Sequence, residues 1–253
     1  MLKQISSTYL QLDGWFERSK RQPEVPQHGS ELFEDDKVWP RAPISEMTRV
    51  SLALSVEHLR LIRVTLDARQ LFPSAPFTTL RGALVGAAQA VWVLEPADRE
   101  LRRSRGLTVI AEEYDELAKF FREADKVEPQ TIPESQWAWL RERTTSLEAV
   151  RGTGPAKLNQ TQMIAAALDT AFASEPEKRR SGRLLWRQMS ADAHVLGWAM
   201  AQRARLVTAA AKGEDLAILA APGALEQTRD AFLCAHGLAR CGWSLFDRRC
   251  EGN

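Results

Sequence analysis

The residues best suited to chemistry in this sequence are an arginine and a histidine two helical turns apart. In Trp186-Arg187-Gln188-Met189-Ser190-Ala191-Asp192-Ala193-His194 six residues separate Arg187 from His194, so on a helix both project from one face with Ser190 between them. A guanidinium beside an imidazole suits phosphodiester chemistry. The arginine holds the phosphate and neutralises charge that builds in the transition state, while the histidine moves the proton of the attacking or leaving oxygen. The basic run Lys178, Arg179, Arg180 and Arg183 lies just upstream and would guide a polyanion to this face. Candidate substrate contacts are therefore Arg180, Arg183, Ser190 and, if exposed, Trp186, whose ring can stack a base. The structural alternative is a histidine hydrogen-bonded in a polar helix junction, with Arg187 satisfying a carboxylate.

The same spacing recurs at Arg229 and His236, with Asp230 following the arginine. A pattern this short is weakly specific, and in an arginine-rich chain about one match arises by chance. The first copy is preferred for its aromatic and basic flanks. His28 falls in a broken loop, and His58 reads as a structural histidine. No P-loop, dinucleotide-binding glycine fingerprint, H-E-x-x-H or G-x-S-x-G is present, which disfavours the common cofactor enzymes. Cys234, Cys241 and Cys250 fit no closed zinc pattern and read as buried or half-buried thiols, so no metal and no cofactor is expected. Arg81 enters a nearly apolar helix, where an unpaired charge is costly, and is expected to meet a carboxylate from a neighbour.

Arg187 to His194 resembles the motif of the HEPN superfamily, all-helical proteins whose ribonuclease members carry Arg, four to six residues, then His on one helix. Further likeness to a group of uncharacterised actinobacterial helical proteins runs over roughly residues 45–245. Thr79-Leu80-Arg81-Gly82-Ala83 through Val91-Trp92-Val93-Leu94-Glu95-Pro96, the arginines at 102, 103 and 105, Trp186 to His194, and Gly242-Trp243 carry it. The resemblance implies an HEPN-like helical core and metal-independent RNA cleavage, in which a 2′-hydroxyl attacks the adjacent phosphate. It also implies a homodimer whose two motifs converge on a cleft, and a toxin–antitoxin or phage-defence setting with a protein inhibitor or defence partner. The competing reading is a non-catalytic helical module that binds a protein partner or a nucleotide-like ligand.

The elements that would position these residues are helices. Residues 3–20 carry Tyr9, Leu12, Trp15 and Phe16 at helical spacing. Four prolines, Gly29 and an acidic patch then break residues 22–43, a connection that Trp39 pins to the body. From Ser45, a candidate N-cap, the residues Val50, Leu54, Leu61, Val64 and Leu71 keep one apolar stripe through about seven turns. The next helix, residues 77–94, is apolar around its circumference and rich in Ala and Gly, as a helix at the centre of a bundle would be. Pro96 opens a charged helix to about residue 126, a further helix covers 134–150, and others are expected at 159–173, 182–211 and 224–241. Strand signals are almost absent. The expected fold is an all-α bundle of six to eight helices. Residues 1–44 form an N-terminal helix and Pro-rich acidic loop, and residues 45–253 the bundle, with a candidate hinge at 151–156.

Composition agrees with a globular protein: 253 residues, 44% hydrophobic, 26% charged, net charge +1. That length can bury a core without disulfides or metal. The near-zero charge gives no global pull towards nucleic acid, but basic and acidic residues are clustered, at 99–105 and 178–187 against 31–36 and 112–116. No run of about 18 uninterrupted apolar residues is present, no signal-peptide pattern opens the chain, and the cysteine count is odd, so a cytoplasmic protein without a membrane partner is expected.

Overall fold

The computed structural model describes residues 2–70, 72–151, 157–203, 205–206, 219–220 and 224–252. Among them are eleven helices: α1 (Leu2–Ser6), α2 (Tyr9–Ser19), α3 (Glu31–Asp36), α4 (Ile44–Asp67), α5 (Ala75–Leu94), α6 (Arg99–Val127), α7 (Glu134–Arg151), α8 (Gln160–Ala171), α9 (Pro176–Ala193), α10 (Trp198–Arg203) and α11 (Ala224–Cys250). A two-residue antiparallel pair, β1 (Arg205–Leu206) with β2 (Leu219–Ala220), is the one extended element described. The fold is all-α, with more helices than the six to eight expected. The first expected helix is interrupted at Ser7 and Thr8, the proline-rich connection folds a short helix, and the helix expected at 182–211 breaks at His194. Gly152, Gly154 and Pro155 of the candidate hinge lie outside the described residues, as does Leu71.

Helix α5 is the hub, packed against α4, α11, α8, α9 and α6. Its small residues are what allow this. A Cβ added at Gly86 would stand 2.6 Å from the backbone oxygen of Ser51, so only glycine permits α4 to lie this close. The short gap is spanned by polar contacts: Ser55 Oγ donates to the Ala83 carbonyl (2.7 Å) and Gln89 Nε2 to Ser51 Oγ (2.8 Å). Long and apolar enough to cross a membrane by length and composition, α5 is here a mostly buried core helix.

Helix α4 buries a different face from the stripe that the sequence singles out. Met47, Leu52, Val56, Leu59, Ile62 and Leu66 enter the core, while Val50, Leu54, Leu61 and Val64 are exposed. The helix ends at Asp67, with Arg69 in the left-handed region (φ 56°) and Gln70 N–H bonded to the Thr65 carbonyl (2.8 Å). Pro96 does not open α6: Asp98 is its N-cap, accepting from the Leu101 N–H (2.7 Å). Residues 2–44 contribute Ile5, Leu12, Trp15, Leu32 and Trp39 to the same hydrophobic cluster as the rest of the chain.

The basic cluster at 99–105 has a structural task. Three arginines satisfy the carbonyls at the buried C-terminal end of α5 and just beyond it. Arg105 Nη1 donates to the Trp92 carbonyl (2.6 Å), Arg249 Nε to that of Leu94 (3.0 Å) and Nη2 to that of Pro96 (2.9 Å), and Arg102 Nη1 to Pro96 (3.0 Å) and Ala97 (2.9 Å). Counter-charges come from α3: Asp35 accepts from Arg102 Nε (2.7 Å) and Glu31 pairs with Arg249. Removing Arg102 therefore takes its closest partner from a buried carboxylate, leaving only the longer approaches of Arg103 (3.6 Å) and Arg99 (4.0 Å). Arg102→Ala is expected to lower stability by about 3–5 kcal/mol, read from urea denaturation, and the double variant Arg102→Met with Asp35→Leu to recover much of it.

Candidate functional site

Helix α9 carries the residues that the sequence marks for chemistry, and its ends are marked by a proline at the start and a backbone closure at the finish. Pro176 occupies the first turn. The C-terminal end closes by a Schellman arrangement: Leu196 N–H bonds to the Ala191 carbonyl (2.8 Å) and Val195 N–H to that of Asp192 (3.0 Å). This requires a left-handed residue, and Val195 supplies it at φ 57°, a strained conformation for a β-branched side chain. His194 is the C-cap residue, its N–H bonded to the Ser190 carbonyl (3.1 Å). Arg187 and His194 are both exposed, about 10 Å apart along the helix axis.

The neighbours differ in availability. Lys178 pairs with Glu175 (2.5 Å), Arg180 with Glu177 (2.5 Å), Arg179 with Asp169 (3.8 Å), and Arg183 grips both oxygens of Asp169 (2.8 and 2.7 Å). Arg187 is the one basic side chain of α9 without a hydrogen-bond or ion-pair partner among the described residues. Trp186 is only 6% exposed, with the Arg81 guanidinium 4.8 Å over its ring, so it has no free face for a base. Among the described residues Arg81 meets no carboxylate. Its partners are the Trp186 face, Ser190 Oγ (3.4 Å) and Gln160 Oε1 (3.4 Å), which suffice because it is half-exposed. Asp192 adds no free polar group to the site. Buried, it pairs with Arg203 (Nη1 to Oδ2, 2.9 Å) and accepts from Ser74 Oγ (2.7 Å), while Arg203 lies 4.0 Å over the Phe77 ring. This anchor of α10 onto α5 has no sequence signature, because an Asp and an Arg eleven residues apart are unremarkable before the chain turns back.

The opposite side of α9 borders a cavity of about 740 Å³ between α1, α2 and α11. Lys178, Ser181, Leu185 and Gln188 form its α9 wall, and Gln227, Asp230, His236 and Arg240 the α11 wall. The second motif splits here. Arg229 is taken up by Asp230 (2.7 Å), while His236 is buried between the rings of Trp15 (5.0 Å) and Phe232 (6.4 Å). Among the described residues His236 Nε2 and Gln227 Oε1 have no hydrogen-bond partner. The sequence gives no hint of Gln227 or Arg240 as site residues; only the packing of α11 against α1, α8 and α9 brings them to the cavity. Cys234 is buried, and burial pushes its thiol up to about 12, an inert value. Among the described residues no cluster of three His, Cys, Asp or Glu side chains is arranged to hold a metal ion.

The chain matches no family model, no curated protein and no solved structure.

Burial, with a smaller contribution from the charge of Arg240, pulls the His236 imidazole down to about 4, so it is neutral at ambient pH. Its ordinary value, about 6.5, applies in the unfolded chain. Between those values the unfolded chain binds a proton that the folded one does not. Stability present above pH ~6.5 is therefore lost as pH falls towards ~4, by up to about 3 kcal/mol from this group. His236→Phe should flatten that part of the profile, measured as urea midpoints at neutral and mildly acidic pH; an unchanged slope would assign the effect to another group.

Proposed function

We propose that the chain is a metal-independent endoribonuclease of the HEPN type, with Arg187 as the phosphate-holding and His194 as the proton-moving residue. The observation that carries this reading is availability. Both side chains are exposed on one side of α9, and Arg187 is unpaired where every other basic residue of that helix is engaged. In this mechanism the RNA 2′-oxygen bonds to the adjacent phosphorus and the bond to the 5′-oxygen breaks, leaving a 2′,3′-cyclic phosphate and a 5′-hydroxyl. His194 moves the proton between the two oxygens, and Arg187 offsets charge on the phosphoryl oxygens. A single convex stripe grips RNA from one side only, so a second surface must complete the cleft. Strain at Val195, next to His194, supports a functional role for this helix end, since such strain clusters at working sites.

The test is incubation of the purified protein with mixed cellular RNA in EDTA, comparing wild type with Arg187→Ala and His194→Ala. Cleavage that survives chelation and drops about 10²-fold or more in each variant is the expected result. Cleavage that both variants retain in full would overturn the assignment.

The cavity favours a second reading, binding of a small nucleotide-like ligand. Its size is that of a ligand site, and its wall is amide-rich, with Gln4, Gln11, Gln188 and Gln227 among the lining residues. Titration with nucleoside monophosphates, followed by calorimetry, should then give a signal that Arg240→Ala weakens and His194→Ala leaves unchanged.

A further inference from the structure

Arg81 carries a charge that its surroundings do not balance. Arginines elsewhere in the packed parts of the chain, among them Arg63, Arg102, Arg105, Arg203 and Arg249, are each ion-paired with a carboxylate. Arg81 is half-buried and is held by neutral groups: the Trp186 ring beneath its plane, Ser190 Oγ against Nε and Gln160 Oε1 against Nη2. Both hydrogen bonds are long, at 3.4 Å, and Nη1 has no partner among the described residues. These contacts hold the group without cancelling its charge, so an anion from outside is favoured there. Its position indicates which anion. Ser190 lies between Arg187 and His194 in α9, about 60° around the helix from Arg187, so the Ser190 contact places Arg81 at the edge of the exposed stripe. The Trp186 ring fixes the plane of the guanidinium, which leaves little freedom to be lost on binding.

We infer that Arg81 is a second phosphate-holding residue of the α9 site, taking the RNA phosphate next to the one that Arg187 holds. For the identity of the polyanion this rests on the ribonuclease reading. Arg180 and Arg183, the nearby arginines of α9 itself, are occupied by Glu177 and Asp169, so the cation for a flanking phosphate comes from α5 instead. Arg81 Nε is turned to Ser190 Oγ, which sets the group beside the Arg187 and His194 stripe and not on it. A strand that crosses α9 towards α5 therefore meets Arg187 and Arg81 in turn, one phosphate each. Gln160 of α8 adds an amide at the same edge, able to donate or accept at a sugar or base. The convex stripe thereby gains donors from two further helices.

Fluorescence anisotropy of a short labelled 2′-O-methyl RNA, whose blocked 2′-oxygens prevent cleavage, tests this on the full chain across a potassium chloride series. Arg81→Gln keeps a polar group against Ser190 and removes the charge. It should weaken binding about tenfold at low salt and reduce the slope of log affinity against log salt by about 0.7, one phosphate contact on a single strand. Arg81→Lys should restore the slope, which a merely structural role would not do, and both variants should keep the helical circular dichroism of the wild type. A slope that Arg81→Gln leaves unchanged, or that Arg81→Lys fails to restore, overturns the inference. So does a wild type that does not bind the probe, or one from which inorganic phosphate displaces it at matched ionic strength, since the site would then take a free anion. Cleavage is not read, so the two readings fail separately. A chain that cleaves through Arg187 and His194 while its Arg81→Gln variant binds as tightly as wild type loses only this inference. A chain that binds through Arg81 without cleaving RNA loses only the ribonuclease reading.

Discussion

The fold depends on how the end of an apolar helix is satisfied. Helix α5 is surrounded by five other helices, so the carbonyls at its C-terminal end cannot turn to bulk water. Guanidinium groups solve this because one side chain presents several donors in a fixed plane. Arg102, Arg105 and Arg249 converge on the backbone from Trp92 to Ala97, and the carboxylates of α3 hold two of them in place. The outcome is a junction at which α3, α5, α6 and α11 are locked together by charge-assisted bonds. Burial lowers the pKa of both Arg105 and Arg249, a sign of the desolvation that the junction has to offset.

Local features were legible in the sequence wherever a residue type has one physical meaning. The central position of α5 follows from its Ala and Gly content, and Asn159 caps α8 where the pattern begins. What was not legible is partnership. Charge runs read as solvated faces or ligand sites, yet Arg102 and Arg103 are bound to α3, far away in sequence. On α4 two stripes of apolar residues compete, and hydrophobicity alone cannot tell the one that meets α5 from the one left outside, because the polar Ser51, Ser55 and His58 are among the residues that touch α5. The break after His194 was hidden for a related reason: the left-handed position that closes a helix usually declares itself by glycine, and here it is valine, with Gly197 two residues too late.

For the candidate site, the spacing of Arg187 and His194 was visible, and so was the basic run before them. Their surroundings were not. Ion pairs within α9 and to Asp169 remove most of the run from service, and Asp192 and Trp186 turn inwards as structural groups. The helix is therefore two-sided. One side presents Arg187 and His194 to solvent, and the other walls a cavity with α11, where a neutral histidine lies between two aromatic rings.

The caps of α5 also impose an order on the folding chain. Arg249 is 155 residues downstream of the Leu94 carbonyl that it satisfies. A ribosome emits α5 long before it emits that arginine. During the interval an apolar helix long enough to span a bilayer has neither its last donors nor its α11 wall. Contacts so distant along the chain slow folding, and the waiting species exposes sticky surface. The arginine that closes the core is thus among the last parts of it to be made.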